Sequence, residues 1–225
     1  MTITIIPIEG IPEVDEDDDL AGSIAASSPE LRDGDIVVIT QKVISKAEGR
    51  VAPLAEKAAM IAAESKRVLR RSGTTTIAET SHGFVCANAG VDGSNIEGDR
   101  IALLPKDPDA SARRIRARLA HLTGADVAVI VTDTFGRAWR LGQTDVAIGV
   151  AGMLPFIDYR GTTDTQGRRL AATRICVADE IAGAAELVMG KATGICAAIV
   201  RGVRVERGRG AATTIARPPE DDLFR

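Results

Sequence analysis

The stretch at residues 126–145, DVAVIVTDTFGRAWRLGQTD, carries most of the information about the fold of this chain. Residues 126–131 form an almost wholly apolar run, which is typical of a buried strand. The run ends at Thr132, Asp133 and Thr134, so two hydroxyls and a carboxylate follow the strand directly. Open α/β sheets usually present ligand-binding groups at the carboxyl ends of their strands. The stretch therefore predicts a buried strand with a polar site at its carboxyl end.

The loop predicted after this strand is rich in groups that suit anionic ligands. It contains Arg137, Arg140, a glutamine, two glycines and the single tryptophan of the chain. Arginine binds phosphates and carboxylates well because its planar guanidinium makes paired, charge-assisted hydrogen bonds. A purely structural loop does not need this density of polar groups, so the pattern favours a functional loop. Trp139 alone is more typical of a packing anchor.

Outside this stretch, apolar periodicity and capping residues predict further strands and helices. The predicted helices cover residues 18–26, 54–69, the segment between the cap Asp107 and Gly124, and 179–189, and the predicted strands cover 36–40, 74–79, 84–87, 101–105, 175–177 and 195–200. A long loop is predicted between Thr134 and Ile175, and an extended tail at 216–225. Because the alternation is irregular, we predict an α/β or α+β fold with a mixed sheet, in one domain at 1–225 that could divide into two subdomains.

Composition excludes several classes of protein. The 225 residues are 45% hydrophobic and 26% charged, as in an ordinary globular domain, and the net charge of −3 with 3% aromatic residues argues against a nucleic-acid partner. No uncharged apolar run reaches the roughly 20 residues of a membrane span, and the acidic N-terminal region is unlike a signal peptide, so we expect a cytoplasmic protein with no membrane partner. His82, His121 and the three cysteines show no zinc spacing, so a metal would be held by oxygen.

Two further clusters could contribute to a site. The turn at 91–95, VDGSN, combines the Asp92 carboxylate, a hydroxyl and the Asn95 amide, and could present several oxygens to one point. The alternative is an Asx-turn that satisfies only its own backbone. The segment 40–50 follows a predicted buried strand and holds Lys42 and Lys46, which could neutralise a polyphosphate or could form a solvated charged face.

Together these clusters supply hard oxygen ligands and several cations. Asp92, Asp133 and Thr134 are the predicted oxygen ligands, and carboxylate and hydroxyl oxygens suit Mg²⁺ or Mn²⁺ rather than zinc. The pattern predicts metal-assisted chemistry on a phosphorylated ligand, and a nucleotide is the first candidate for that ligand. Since no GxGxxG or P-loop motif is present, the nucleotide must be held in another way. A phosphohydrolase, a different ligase and a non-catalytic nucleotide-binding module remain as alternatives.

The order of several motifs resembles the coenzyme F420:γ-glutamyl ligase family over nearly the whole chain. The matching stretches are GIPEV, LRDGDIVVITQKVISKAEGR, AGVDGSNI, VTDTFGRAWRLGQTDVAIGVAGM, DYRGTTDTQGR, VADEIAGAAELVMGK and RPPEDDLF. The resemblance implies a CofE-like α/β fold in an intertwined homodimer, without the flavin-binding second domain that some members carry. It implies a GTP-dependent ligase that adds L-glutamate to the lactyl carboxylate of the deazaflavin coenzyme F420-0, through an acyl phosphate, and extends a γ-linked glutamate tail.

The resemblance also implies roles for individual residues. The implied ligands of two Mg²⁺ or Mn²⁺ ions, with K⁺ as a further cation, are Asp92, Asp133 and Thr134. The implied GTP contacts are Ile11, Pro12, Glu13, Val14, Gln41, Lys46, Asn95, Met189, Gly190 and Lys191. The residues implied in catalysis are Asp92, Asp133, Lys46, Arg137 and Arg140. Lys191 stands where some members of the family use a metal-binding glutamine.

Overall fold

The structure is a computed structural model and describes residues 2–222. The helices are α1 (Leu20–Ser27), α2 (Gln41–Ala47), α3 (Lys57–Glu64), α4 (Pro108–Thr123) and α5 (Val177–Met189). The strands are β1 (Thr4–Pro7), β2 (Ile36–Thr40), β3 (Val51–Pro53), β4 (Ser65–Ser72), β5 (Thr75–Thr80), β6 (Val85–Ala87), β7 (Arg100–Ala102), β8 (Ala128–Arg137), β9 (Arg140–Ala151), β10 (Ile157–Asp158), β11 (Arg174–Ile175) and β12 (Ala197–Arg201). None of the helices in this range has the length and apolar character needed to cross a lipid bilayer.

A mixed five-stranded sheet in the order β1-β12-β2-β8-β9 forms the centre of the fold, as the sequence predicted for its class. Strands β2 and β8 pair in parallel, while the other neighbours pair antiparallel. Both central strands are apolar on each face because helices cover both faces of the sheet. Val37 and Ile39 pack in a core with α1 and α4, whereas Ile36 and Val38 pack in a second core with α5.

The boundaries of α4 agree with the sequence prediction because local capping chemistry sets them. The Asp107 carboxylate accepts a hydrogen bond of 2.8 Å from the Ala110 amide, and Pro108 occupies the first turn, where no donor is needed. Gly124 ends the helix in the left-handed conformation, with φ of 75°. The buried strand predicted at 36–40 is also confirmed, over the same residues.

The prediction of one helix over residues 54–69 is wrong. A 3-10 turn covers Leu54–Glu56 and α3 ends at Glu64, after which β4 pairs antiparallel with β5. Gly73, with φ of 55°, lies in the turn between these strands. Ala, Lys and Glu favour a helix locally, but the pairing of Ser65–Ser72 with a strand nearby in sequence overrides that preference.

The prediction of a long loop after Thr134 is also wrong. Strand β8 continues to Arg137, and β9 returns antiparallel to it, so the pair forms a long hairpin. Trp139 lies in the turn with φ of 60°. The strand predicted at 175–177 corresponds to β11. It ends earlier than predicted, at Ile175, because α5 already begins at Val177. In the tail, Pro219–Asp221 forms a 3-10 turn rather than extended chain, and residues 223–225 lie outside the described residues.

We predict that Asp109→Ala lowers the free energy of unfolding by about 2–4 kcal/mol. The Asp109 carboxylate is 4% exposed and accepts hydrogen bonds of 2.8 Å from the amides of both Val150 and Ala212. Alanine would leave two buried donors without partners, and each such donor costs about 1–3 kcal/mol. Urea unfolding measures the change, with the exposed Arg113→Ala on the same helix as control. Equal stability of the two variants would contradict this role of Asp109.

Candidate functional site

The structure brings Asp92, Asp133 and Lys42 together at one edge of the central sheet. The Lys42 Nζ lies 2.7 Å from Asp92 Oδ2. Asp133 interacts electrostatically with both Lys42 and Asp92. Two carboxylates that are 41 residues apart in sequence therefore share one ammonium group.

Strand pairing explains why Lys42 and Asp133 meet. Strands β2 and β8 run parallel, and Thr40 lies opposite Thr132 in their register. Strand β2 ends at Thr40, whereas β8 continues to Arg137, so Lys42, two residues after Thr40, comes to the level of Asp133, one residue after Thr132. This is the edge at which an open sheet usually presents ligand-binding groups.

Asp92 reaches the same edge through a short antiparallel bridge. Its backbone donates to the Ala102 carbonyl at 3.1 Å and accepts from the Ala102 amide at 2.8 Å. The neighbouring Leu103 carbonyl lies 2.6 Å from Ser45 Oγ, which fixes this segment against α2. The Asp92 carboxylate also accepts hydrogen bonds from the amide (3.1 Å) and hydroxyl of Ser94, so the Asx-turn exists together with the contact to Lys42.

The two carboxylates differ strongly in acidity. Burial raises the pKa of Asp133 from 3.8 to about 6, against the opposing effect of the Lys42 charge. Burial acts in the same direction on Asp92, but the hydrogen bonds from Lys42 and Ser94 outweigh it and bring its pKa to about 2. The edge of the sheet thus holds one firmly ionised carboxylate beside one that is poorly solvated.

A second polar group lies at the same level of the sheet, on β9 and α5. Asp145 is 2% exposed, and its carboxylate accepts from Thr134 Oγ1 at 2.6 Å and from Thr132 Oγ1 at 3.1 Å. Lys191 donates to Thr134 Oγ1 and to Asp145 at 3.1 Å, and pairs with Glu186 at 3.1 Å. Burial lowers the pKa of the Lys191 ammonium, but the charge of Asp145 and the contact with Glu186 outweigh it, and the net shift is upward.

Sequence reasoning missed Asp145 and Glu186 as site residues. Asp145 lies opposite Thr134 in the β8–β9 register, so only the hairpin reveals that the two side chains meet. Glu186 lies in the last turn of α5, facing Lys191, and no local signal in the sequence marks it.

The structure brings two pairs of the residues that the resemblance assigns to the nucleotide into contact with each other. The Asn95 amide donates to the Lys191 carbonyl at 3.1 Å, which joins the VDGSN turn to the segment after α5. Lys46 forms an ion pair with Glu13 in the segment Ile11 to Val14. Gln41 is buried, and its Oε1 accepts from Ser45 Oγ at 2.8 Å.

The two predicted catalytic arginines lie apart from the aspartates in the single chain. Arg137 and Arg140 are exposed at the end of the β8–β9 hairpin, and the Arg137 guanidinium donates to the Leu141 carbonyl at 3.2 Å. Beside them, Trp139 is 79% exposed and Leu141 is 99% exposed. This tip therefore presents an unusual combination of cationic and large apolar side chains.

The donor set at the sheet edge fits a hard divalent cation that keeps open positions. Within residues 2–222, no three of the His, Cys, Asp and Glu side chains group in a way that could hold a metal. The carboxylates of Asp92 and Asp133 leave room for water and substrate oxygens, which is how Mg²⁺ is usually bound. The Thr134 hydroxyl, the third predicted ligand, contacts Asp145 and Lys191 instead. In addition, Glu186 Oε2 is buried without a hydrogen-bond partner in the described part of the chain, so it can accept a further cation or donor.

Comparison with known proteins identifies the family. The family model for F420-0:γ-glutamyl ligase matches residues 10–202. The chain belongs to this ligase family. The resemblance drawn from the sequence motifs is therefore confirmed.

Curated relatives match the chain at or near full length. A protein of Methanothermobacter thermautotrophicus, named coenzyme F420:L-glutamate ligase, is 41% identical over 251 residues that cover all of both chains. A protein of the same name from Archaeoglobus fulgidus is 41% identical and covers all of this chain and 97% of the relative. The relative of that name from Methanocaldococcus jannaschii is 42% identical, with 87% of this chain and 86% of the relative covered.

We predict that Asp133→Asn raises the free energy of unfolding of the metal-free protein at pH 8 by an amount on the order of 2 kcal/mol. Because the folded state raises the pKa of Asp133 from 3.8 to about 6, the unfolded state ionises first. Ionisation of Asp133 therefore lowers the free energy of unfolding as the pH rises from 3.8 to about 6. Each unit of difference between the folded and unfolded pKa values corresponds to about 1.4 kcal/mol before allowance for partial exposure. Asparagine removes that effect.

Thermal unfolding in a chelator, at pH values from 4 to 8, measures the difference between Asp133→Asn and the wild type. The difference should be largest at pH 8 and should shrink toward pH 4, where Asp133 is protonated in the folded state and only about half ionised in the unfolded state. Asp17→Asn, at an exposed position, is the control. A destabilised Asp133→Asn variant at pH 8 would contradict the account.

Proposed function

We propose that this protein joins the amino group of L-glutamate to the carboxylate of coenzyme F420-0, with GTP as phosphate donor, and then extends a γ-linked glutamate tail. The observation that carries the proposal is the convergence of Asp92 and Asp133 on Lys42, at the ligand-binding edge of the sheet, in a member of this ligase family. The relatives' name supports the acceptor and the amino acid. The nucleotide, the metals and the intermediate are part of the proposal.

The chemistry requires activation of the acceptor carboxylate. A carboxylate does not react with an amine near neutral pH, because oxide is a very poor leaving group. Transfer of the γ-phosphoryl group of GTP to a carboxylate oxygen gives an acyl phosphate and GDP. The glutamate amine then attacks the acyl carbon, loses a proton and displaces inorganic phosphate, so that an amide bond forms.

Asp92, Asp133 and Thr134 would hold the divalent ions, Mg²⁺ or Mn²⁺, with K⁺ as a further cation. When bound, the metals neutralise charge that develops on the phosphates during transfer. Lys42 holds the two carboxylates together in their absence, and Lys46 lies one turn further along α2, on the same face of the helix. Lys46 would position the polyphosphate, together with the segment Ile11 to Val14 and Asn95.

Arg137 and Arg140 would complete charge neutralisation from the hairpin. Since these arginines lie away from the aspartates of their own chain, we propose that the protein acts as a homodimer in which the hairpin packs on a second copy. The exposed Trp139 and Leu141 supply the apolar area that such a contact needs. We place the reaction in the cytoplasm, where GTP and glutamate are available.

Mass spectrometry of the deazaflavin product tests the reaction. After incubation with GTP, Mn²⁺ and L-glutamate, we expect the mass of coenzyme F420-0 to rise by whole glutamyl units. Asp133→Ala should fold but lose activity by about a thousandfold, as is usual when a group that stabilises transition-state charge is removed. Asp158→Ala, at an exposed position, should keep its activity. GDP release that needs no glutamate would instead favour a phosphohydrolase, and GTP binding without turnover would favour a binding module.

The hairpin also gives a prediction about assembly. The double variant Trp139→Ser, Leu141→Ser should raise the dimer dissociation constant at least about tenfold, because central apolar anchors dominate such interfaces. Analytical ultracentrifugation over a range of concentrations measures it, with Leu187→Ser as control because Leu187 is an exposed leucine on α5. A monomeric wild type, or an unchanged dissociation constant in the double variant, would contradict the proposal.

A further inference from the structure

The Lys191 ammonium lies among oxygen atoms next to the proposed metal centre. It contacts Thr134 Oγ1 on β8, and it lies 3.1 Å from Asp145 Oδ1 on β9. It also lies 3.1 Å from Glu186 Oε1 on α5. Three elements of the fold therefore each direct one oxygen at the same point. This oxygen pocket borders the proposed metal centre, since the charge of Asp145 also acts on Asp133.

The backbone around Lys191 explains why its side chain enters this pocket. Helix α5 ends at Met189, and Gly190 follows with φ of 59°, a conformation that glycine adopts without strain. The chain turns there, and the Asn95 side-chain amide donates to the Lys191 carbonyl at 3.1 Å. The helix end and this hydrogen bond therefore hold the backbone of Lys191 at the mouth of the pocket.

The charges of the pocket are those of a cation site. The Asp145 side chain is 1% exposed, and within residues 2–222 Lys191 is the only cationic side chain that pairs with it. A buried carboxylate is costly without such a partner. Asp145 and Glu186 carry two negative charges against one ammonium, and Glu186 Oε2 is buried without a hydrogen-bond partner in the described part of the chain. Two carboxylates and a hydroxyl would suit Mg²⁺ or Mn²⁺, but here they surround an ammonium.

The Thr134 hydroxyl shows that a second divalent ion does not fit beside this ammonium. The hydroxyl donates its proton to Asp145 at 2.6 Å, and its oxygen accepts from Lys191. A metal ion on the same oxygen would lie directly beside the ammonium, and the two positive charges would repel each other. Of the two divalent ions that the resemblance implies, the arrangement therefore accommodates the one at Asp92 and Asp133.

We propose that the Lys191 ammonium takes the place of one of these two divalent ions, so that the protein binds a single divalent ion, at Asp92 and Asp133. The inference rests on the proposed function and narrows its metal requirement. A lysine that is part of the chain supplies positive charge at this position permanently, and a chelator does not remove it. The oxygen pocket would accept a divalent ion only after the ammonium is removed.

The number of Mn²⁺ ions bound by the wild type and by Lys191→Met tests the proposal. Methionine has a similar length and shape but no charge. Electron paramagnetic resonance of free Mn²⁺, with a non-hydrolysable GTP analogue equimolar to the protein, counts the ions bound per chain. We expect one ion in the wild type and in Lys191→Arg, which keeps the charge. We expect two ions in Lys191→Met, because Asp145, Glu186 and Thr134 become free to bind the second.

Thermal unfolding gives a readout that does not depend on the nucleotide. In a chelator, Lys191→Met should unfold at least about 2 °C below the wild type, because the buried Asp145 loses its counter-charge. Saturating Mn²⁺ should remove this difference. Adding Glu186→Gln to Lys191→Met should raise the dissociation constant of the second ion at least about tenfold, since it removes a charged ligand.

Lys106→Met, the same change at an exposed lysine, is the matched control and should keep the wild-type ion count and unfolding temperature. Two ions on the wild type, or one ion on folded Lys191→Met, would overturn the inference. If Lys191→Met does not fold even with Mn²⁺, the same count on Lys191→Gln decides. The mass of the deazaflavin product tests the proposed function separately. Glutamyl transfer by a wild type that binds two ions would keep that function and reject this inference, whereas a wild type without glutamyl transfer would contradict the function itself.

Discussion

The parallel pairing of β2 with β8 is the constraint on which the proposed active centre depends. Because Thr40 lies opposite Thr132, the end of β2 lies at the level of Asp133 within β8, and Lys42 meets Asp133 there. Antiparallel pairing of these two strands would send the two side chains to opposite ends of the sheet. The bridge between Asp92 and Ala102 then adds the second carboxylate to an edge that the central strands have already defined.

The carboxylates at this edge attract positive charge. Burial raises the pKa of Asp133 to about 6, so its ionised form is costly unless positive charge is near. The lysines supply that charge, Lys42 beside Asp92 and Lys191 beside Asp145. Perturbed carboxylates gathered in this way are more typical of functional sites than of packing.

Local signals in the sequence predicted the parts of the fold that local chemistry determines. The apolar run at β2 and the caps of α4 needed no knowledge of distant residues. The β8–β9 hairpin was missed because residues 132–145 are polar and rich in glycine, and its pairing becomes evident only in three dimensions. For the candidate site, the apolar run before Asp133 was the local signal that predicted a polar group at this edge. The shared contact with Lys42 and the role of Asp145 depend on strand register, which one sequence does not specify.

A crystal structure with Mn²⁺ and a non-hydrolysable GTP analogue tests the central claim most directly. Anomalous scattering locates manganese without reference to the surrounding protein. We expect an anomalous peak coordinated by oxygens of both Asp92 and Asp133 and by the triphosphate, with the Lys42 ammonium moved off Asp92. A peak bound elsewhere, or an intact Lys42–Asp92 pair in the nucleotide complex, would contradict it.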